Sequence, residues 1–247
     1  YRSISEHKCR EIFNILQNAQ PMSIDDVVNS HQSPLVDFAR KLVDTTIKDK
    51  TVTEHFKSLK FIQKPEKTSI MTKLIAWFTI MHPIVSGLDA DKEPEEVSLL
   101  YLTKGNNNAS PTLQYVKNYN SHIPVELEDT FKRLLTRIID YCTSTPISPS
   151  DLNTMIHVSV NHANFSITKF DNFLQQVVTY VSLKVVAETL HGKKEYDASQ
   201  AKYKEADALN NRFNKDLNIW QDSRKNGGNN PSGMRKRYSI VKERCLE

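Results

Sequence analysis

The sequence predicts an all-α protein: a multi-helix, bundle-like domain with a long charged helix near the C-terminus. Along most of the chain, apolar residues recur three and four positions apart, the period of one helical face, whereas the strict alternation of a half-buried strand is scarce. Only 6 glycines and 10 prolines occur among 247 residues, so long stretches contain no residue that interrupts a helix. A hydrophobic fraction of 38% is sufficient to form a core.

The clearest helical pattern lies in the second half of the chain. Thr168 and Asp171 match a capping box at its start, and Gly192 has the character of the residue that ends a helix. The apolar positions follow helical spacing, so we expect this helix to be largely buried. They are Phe170, Phe173, Leu174, Val177, Val178, Val181, Val185 and Val186. Residues 193–226 then carry dense mixed charge and predict the long charged helix.

Hydroxyl caps mark further helix starts. Ser23 precedes two acids, and Ser33 and Ser148 are each followed by proline, which favours the first position of a helix. Residues 74–85 form the longest apolar run, about twelve residues, whereas a membrane span needs roughly twenty. We therefore expect a buried helix there and no membrane span. Residues 125–141 predict an amphipathic helix with cations on its outer face.

The predicted helices suggest three segments. Residues 1–192 form a helical core, which a boundary near 104–111 or 143–150 would divide into two lobes. Residues 193–226 form the long charged amphipathic helix, and residues 227–247 form a flexible loop with a basic C-terminal segment.

Positive charge is concentrated in the last quarter of the chain. The whole chain has a formal charge of +4, while residues 193–247 alone contain 13 Lys and Arg against 8 Asp and Glu. Cations neutralise phosphates, and a tyrosine beside them can stack on an unpaired base. The candidate nucleic-acid-binding residues are Arg224, Lys225, Arg235, Lys236, Arg237, Tyr238, Lys242 and Arg244.

This basic region is the basis of the leading functional hypothesis. It predicts a non-enzymatic protein that binds RNA or single-stranded nucleic acid and can self-associate, in character like a viral nucleocapsid or a replication-associated protein. The alternative is a helical adaptor or scaffold that binds a protein partner through a stripe made of Tyr203, Phe213, Leu217 and Trp220. The same stripe could instead pack on the chain's own core.

Signatures of enzymes and metal sites are absent from the sequence. It contains no phosphate-binding glycine loop, no nucleophile elbow and no paired zinc-ligand motif. Cys9, Cys142 and Cys245 are far apart, which favours a reducing, intracellular compartment, cytoplasmic or nuclear. His157 and His162 are five residues apart, off the register for one metal. We expect no cofactor and no metal, although an active site assembled from scattered side chains stays an open alternative.

Overall fold

The computed structural model describes residues 5–17, 23–59, 66–82, 95–96, 111–145, 147–191, 195–225 and 230–247. Within these ranges the chain is mostly helical, with one small two-stranded sheet, which confirms the all-α class. Three expectations fall wholly or mainly outside the described residues: the end of a helix at Gly192, the loop at 104–110, and the loop at 226–229. The chain divides into two compact units, Tyr1–Pro149 (unit 1) and Ser150–Glu247 (unit 2).

Unit 1 consists of seven described helices and a β-hairpin. Ser23 Oγ accepts a hydrogen bond from the Asp26 amide at 3.2 Å, and Ser33 caps the helix that follows it with Pro34 at its start, as predicted. The helices are α1 (Glu6–Gln17), α2 (Ile24–Ser30), α3 (Pro34–Val43), α4 (Val52–Ser58), α5 (Lys67–Met81), α6 (Pro111–Asn118) and α7 (Val125–Ser144). The strands β1 (Thr46–Ile47) and β2 (Lys50–Thr51) pair antiparallel.

Helix α5 forms the centre of unit 1 and packs against α2, α3, α4 and α6. Its side chains from Ile70 to Ile80 are mostly buried, so the described part of the apolar run lies in a core helix as expected. Phe78 of α5 meets Phe38 of α3 and Phe131 of α7 edge to face, with ring centroids 5.5–6.1 Å apart across the three pairs. Edge-to-face pairs of this kind add about 0.5–1.5 kcal/mol beyond the burial of their area.

The described residues of unit 2 form five helices, of which the second is the longest. They are α8 (Pro149–Asn161), which begins at the boundary of the unit, α9 (Ile167–His191), α10 (Tyr196–Arg212), α11 (Asp216–Lys225) and α12 (Pro231–Cys245). Helix α9 packs along α10 and also contacts α11 and α12. The cap of α9 differs from the prediction, because the Ser166 hydroxyl accepts from the Lys169 amide at 3.4 Å and Thr168 already lies inside the helix.

The expectation that α9 is largely buried was wrong. Phe170, Phe173 and Val177 are buried, but Val178 and Val185 are 57% and 53% exposed. The sequence shows apolar side chains almost all around this helix, whereas the other helices of unit 2 contact it on one side. Periodicity therefore identified the helix but could not identify the covered face.

The long charged helix is interrupted in the structure. Helix α10 ends at Arg212, and Asn214 and Lys215 have φ angles of 52° and 65° before α11 begins. These two left-handed residues break the helical ladder and let α11 turn back toward α9. The asparagine tolerates this conformation better than most residues do. Sequence periodicity continued across this break, so the interruption was not predicted.

The sequence predicted a flexible loop followed by a basic C-terminal segment, and the described part of this region is ordered as a helix. It forms helix α12, whose first turn is capped by the Asn230 side chain accepting from the Gly233 amide at 2.7 Å. Its C-terminal end is fixed, because the Ser166 amide donates to the Cys245 carbonyl at 2.8 Å and Phe165 forms a β-bridge with Leu246. The cations of this segment therefore occupy defined positions around a helix.

Candidate nucleic-acid interface

Three of the predicted phosphate-binding arginines hold unit 2 together. Arg224 on α11 forms an ion pair with Asp151 on α8: its Nε donates to Oδ1 at 3.1 Å and its Nη2 donates to Oδ2. Asp151 is almost fully buried. Arg244 on α12 donates from Nε to Asp216 Oδ2 at 2.9 Å and from Nη2 to the Phe213 carbonyl at 3.3 Å. These contacts connect α8 to α11 and α12 to the start of α11.

Arg237 lies in the interior of unit 2. Its Nε donates to Thr154 Oγ1 at 3.0 Å, and its Nη1 donates to the Ser223 carbonyl at 3.1 Å. Burial lowers the pKa of Arg237 to about 10, and the nearby Arg224 cation lowers it too, while the Asp151 carboxylate opposes the shift. The guanidinium crosses from α12 to α8 and α11, so it is used by the fold rather than presented at the surface.

Tyr238 does not offer its ring for stacking on a base. It is 6% exposed, and its hydroxyl shares a hydrogen bond with His162 Nε2 at 2.7 Å. The His157 ring lies 4.3 Å from the Tyr238 ring, centroid to centroid. The two histidines therefore have a structural role around this tyrosine. No metal-binding group of three or more His, Cys, Asp or Glu occurs among the described residues.

The remaining cations form an exposed surface that we call the basic face of α12. It consists of Arg235, Lys236 and Lys242, with the hydroxyl residues Ser232 and Ser239 on the same side. Arg235 and Lys242 are two helical turns apart, so about 10 Å of helix axis separates them. One strand of a nucleic acid carries a phosphate about every 3.4 Å along the duplex axis. The basic face is therefore long enough to follow about three phosphates of one strand.

Helix α12 separates its cations by face. Arg237 points inward, whereas Lys236 and Lys242 on the same helix point outward. Glu243 is also exposed beside them and moderates the positive charge at the C-terminal end. Lys225 is the last residue of α11, and its side chain lies outside the described part of the structure.

The predicted partner-binding stripe lies within unit 2. Leu217 and Trp220 are fully buried. The Trp220 ring contacts the Phe173 ring at 5.1 Å, centroid to centroid, and Phe213 contacts the same ring at 6.0 Å. Tyr203 is half-buried, with Lys184 Nζ 5.1 Å above its ring. Tyr203, Phe213 and Trp220 thus contact α9, and Leu217 is buried.

Two of the three cysteines are buried. Burial raises the pKa of Cys142 to about 12 and that of Cys245 to about 12, so both thiols are poor nucleophiles at neutral pH. Cys9 is exposed on α1. Among the helices that the structure describes, none combines the length and apolar character needed to cross a bilayer.

Sequence reasoning missed the partners of the arginines. Ser148 and the proline after it predicted the start of a helix, and nothing in that pattern indicates that Arg224 lies against Asp151 in the same helix. The pairing joins residues more than seventy positions apart. An ion pair of this kind leaves no periodic signal in the sequence.

No protein-family model matches this chain, and neither a curated protein nor a solved structure gives a significant match. The residues and their geometry alone therefore support the functional proposal.

Proposed function

We propose that this protein is a non-enzymatic nucleic-acid-binding or assembly protein that contacts phosphates through the basic face of α12. The observation that carries the proposal is the exposure of Arg235, Lys236 and Lys242 on one side of a helix whose other side is anchored in unit 2. Cations fixed on a helix lose less conformational freedom on binding than cations on a flexible tail.

The mode of binding follows from the groups that are exposed. Because Tyr238 is buried, the contact relies on phosphates rather than on stacking with bases. Phosphate contacts carry no direct sequence information. We therefore propose binding that is sequence-tolerant and strongly weakened by salt. The adaptor alternative would require Leu217 and Trp220 to leave the core of unit 2, so we favour the nucleic-acid hypothesis.

The test is fluorescence anisotropy with a short labelled single-stranded RNA and a duplex DNA across 50–200 mM salt, a range chosen because it reveals counterion release. The variant is Lys236→Gln with Lys242→Gln. The matched control is Lys204→Gln with Lys215→Gln, which removes the same charge from exposed positions elsewhere in unit 2. For a single strand, losing two phosphate contacts should reduce the slope of log K against log salt by about 1.4.

Two results would overturn the proposal. One is absence of binding to either nucleic acid at 50 mM salt. The other is equal weakening by the α12 variant and by the control variant, since that would mean that net charge, and not this face, attracts the nucleic acid. Unchanged melting temperatures for both variants would show that the fold is intact.

A further inference from the structure

A second cationic surface lies on unit 1, on the outer side of α7. It is a groove with a volume of about 530 Å³, lined by Asp129, Lys132, Arg133, Thr136 and Arg137. The last four of these residues lie three, four, seven and eight positions after Asp129, so all five share one face of α7. The buried face of the same helix carries Phe131 and Leu135, which fix α7 in the core of unit 1.

The charges in this groove are only partly neutralised by the described part of the chain. Lys132 Nζ lies 2.7 Å from Glu128 Oε1. Arg133 Nη2 donates to the Thr130 hydroxyl at 2.9 Å, a neutral partner. Arg137 is exposed and forms no ion pair with a described residue. Asp129 also lines the groove and moderates its positive charge, but neither guanidinium forms an ion pair with this or another described carboxylate.

Arg133 and Arg137 are placed to act on one anion. They are four residues apart, so their Cβ atoms lie about 5–6 Å from each other on one face of the helix. Two like charges at this spacing repel by a few tenths of a kcal/mol, and a bound anion would relieve that repulsion. Nearby, the Thr136 hydroxyl donates to the Lys132 carbonyl at 2.8 Å, which leaves its oxygen able to accept only. The donors available to a ligand are thus the two guanidinium groups and the lysine.

We infer that the α7 groove is a binding site for phosphate groups, held between Arg133 and Arg137 with Lys132 at its side. A guanidinium offers two parallel N–H donors that fit the oxygens of a phosphate, and charge-assisted pairs of this kind are about twice as strong as neutral hydrogen bonds. The phosphate groups could belong to a nucleotide or to a polynucleotide backbone. This inference does not rest on the basic face of α12.

The experiment uses the full chain. Binding of pyrophosphate and of ADP is measured by isothermal titration calorimetry, and binding of a labelled single-stranded oligonucleotide by anisotropy. The oligonucleotide is tested in the Lys236→Gln and Lys242→Gln background, which removes both lysines of the basic face of α12 and leaves Arg235. The test variants are Arg137→Gln and Arg137→Lys, and the control is Lys41→Gln, an exposed cation on α3 of the same unit.

Loss of one guanidinium is expected to weaken phosphate binding about tenfold or more. Arg137→Lys should weaken it less, because the charge remains while the paired donors are lost. Lys41→Gln should change the affinity less than twofold. An effect of Arg137→Gln on pyrophosphate and ADP would support a nucleotide site, and an effect on the oligonucleotide alone would support a polynucleotide contact.

The inference is overturned if none of the three probes binds, or if Arg137→Gln and Lys41→Gln weaken binding equally. Because the oligonucleotide arm is measured without the α12 lysines, this result is separate from failure of the proposed function. Arg137 is exposed and bonds to no described residue, so its replacement should leave the melting temperature unchanged, which circular dichroism would check.

Discussion

Asp151→Asn should strongly destabilise unit 2, because Asp151 is the buried counter-ion of the arginines at its centre. The substitution keeps the shape of the side chain and removes its charge. Arg224 would lose its partner across both oxygens, and the Arg237 guanidinium would lose the carboxylate that opposes the effect of burial on its pKa. Breaking a buried ion pair by removing one partner costs about 3–5 kcal/mol.

The assay can isolate this unit, because the chain contains 2 tryptophans and each unit has one of them. Trp220 is fully buried in unit 2. In a Trp77→Phe background, its fluorescence during urea unfolding reports on unit 2 alone. We expect Asp151→Asn to lower the free energy of unfolding by about 3 kcal/mol or more.

A control and a rescue separate the ion pair from general effects of charge. Glu188→Gln removes an exposed carboxylate from α9 and should change stability by less than about 0.5 kcal/mol. Adding Arg224→Gln to Asp151→Asn removes the unpaired cation and should restore part of the loss, as a coupling energy in a double-mutant cycle. A loss below about 1 kcal/mol for Asp151→Asn would refute the structural role given to this carboxylate.

Three further predictions concern unit 1 and the cysteines. Thr51→Ala removes the capping box of α4, where the hydroxyl accepts from the Glu54 amide at 3.2 Å, so urea unfolding followed by Trp fluorescence should show a loss of about 1 kcal/mol; an unchanged midpoint would contradict it. Burial lowers the pKa of Lys73 to about 8. Between pH 8 and 10.5 the unfolded chain therefore binds more protons at this lysine than the folded protein does, and the free energy of unfolding should rise by up to about 3 kcal/mol across that range. Lys73→Met should abolish this rise. Equal pH slopes for the wild-type protein and the variant would contradict the prediction. A maleimide should label only Cys9 in the native protein and all three cysteines in urea; a second native label would show that a buried thiol is accessible.

The basic C-terminal region shows how far sequence reasoning about the site could go. The sequence shows a cluster of cations around Arg237, and the sequence-based prediction assigned all of them to phosphate binding. The structure assigns Arg224, Arg237 and Arg244 to contacts within unit 2 and leaves Arg235, Lys236 and Lys242 exposed. Whether they bind nucleic acid stays a prediction.

The sequence alone determined the helical class, because backbone hydrogen bonds within a helix are local and the spacing of apolar residues repeats with the helical period. The sequence also determined helix starts such as those at Ser23 and Ser33, because the side chain of a capping residue accepts a hydrogen bond from an amide only two or three residues away. Those features require no knowledge of distant residues.

Only the tertiary structure decided which groups meet across the chain. Asp151 meets Arg224, Arg237 reaches Thr154, and the turn at Asn214 brings Trp220 back onto α9. The physical reason is that a charge or an aromatic ring has the same local pattern whether it lies against solvent or against a partner far along the chain. Its role is fixed only when folding removes water from one side of it and places a counter-charge, a hydroxyl or another ring there.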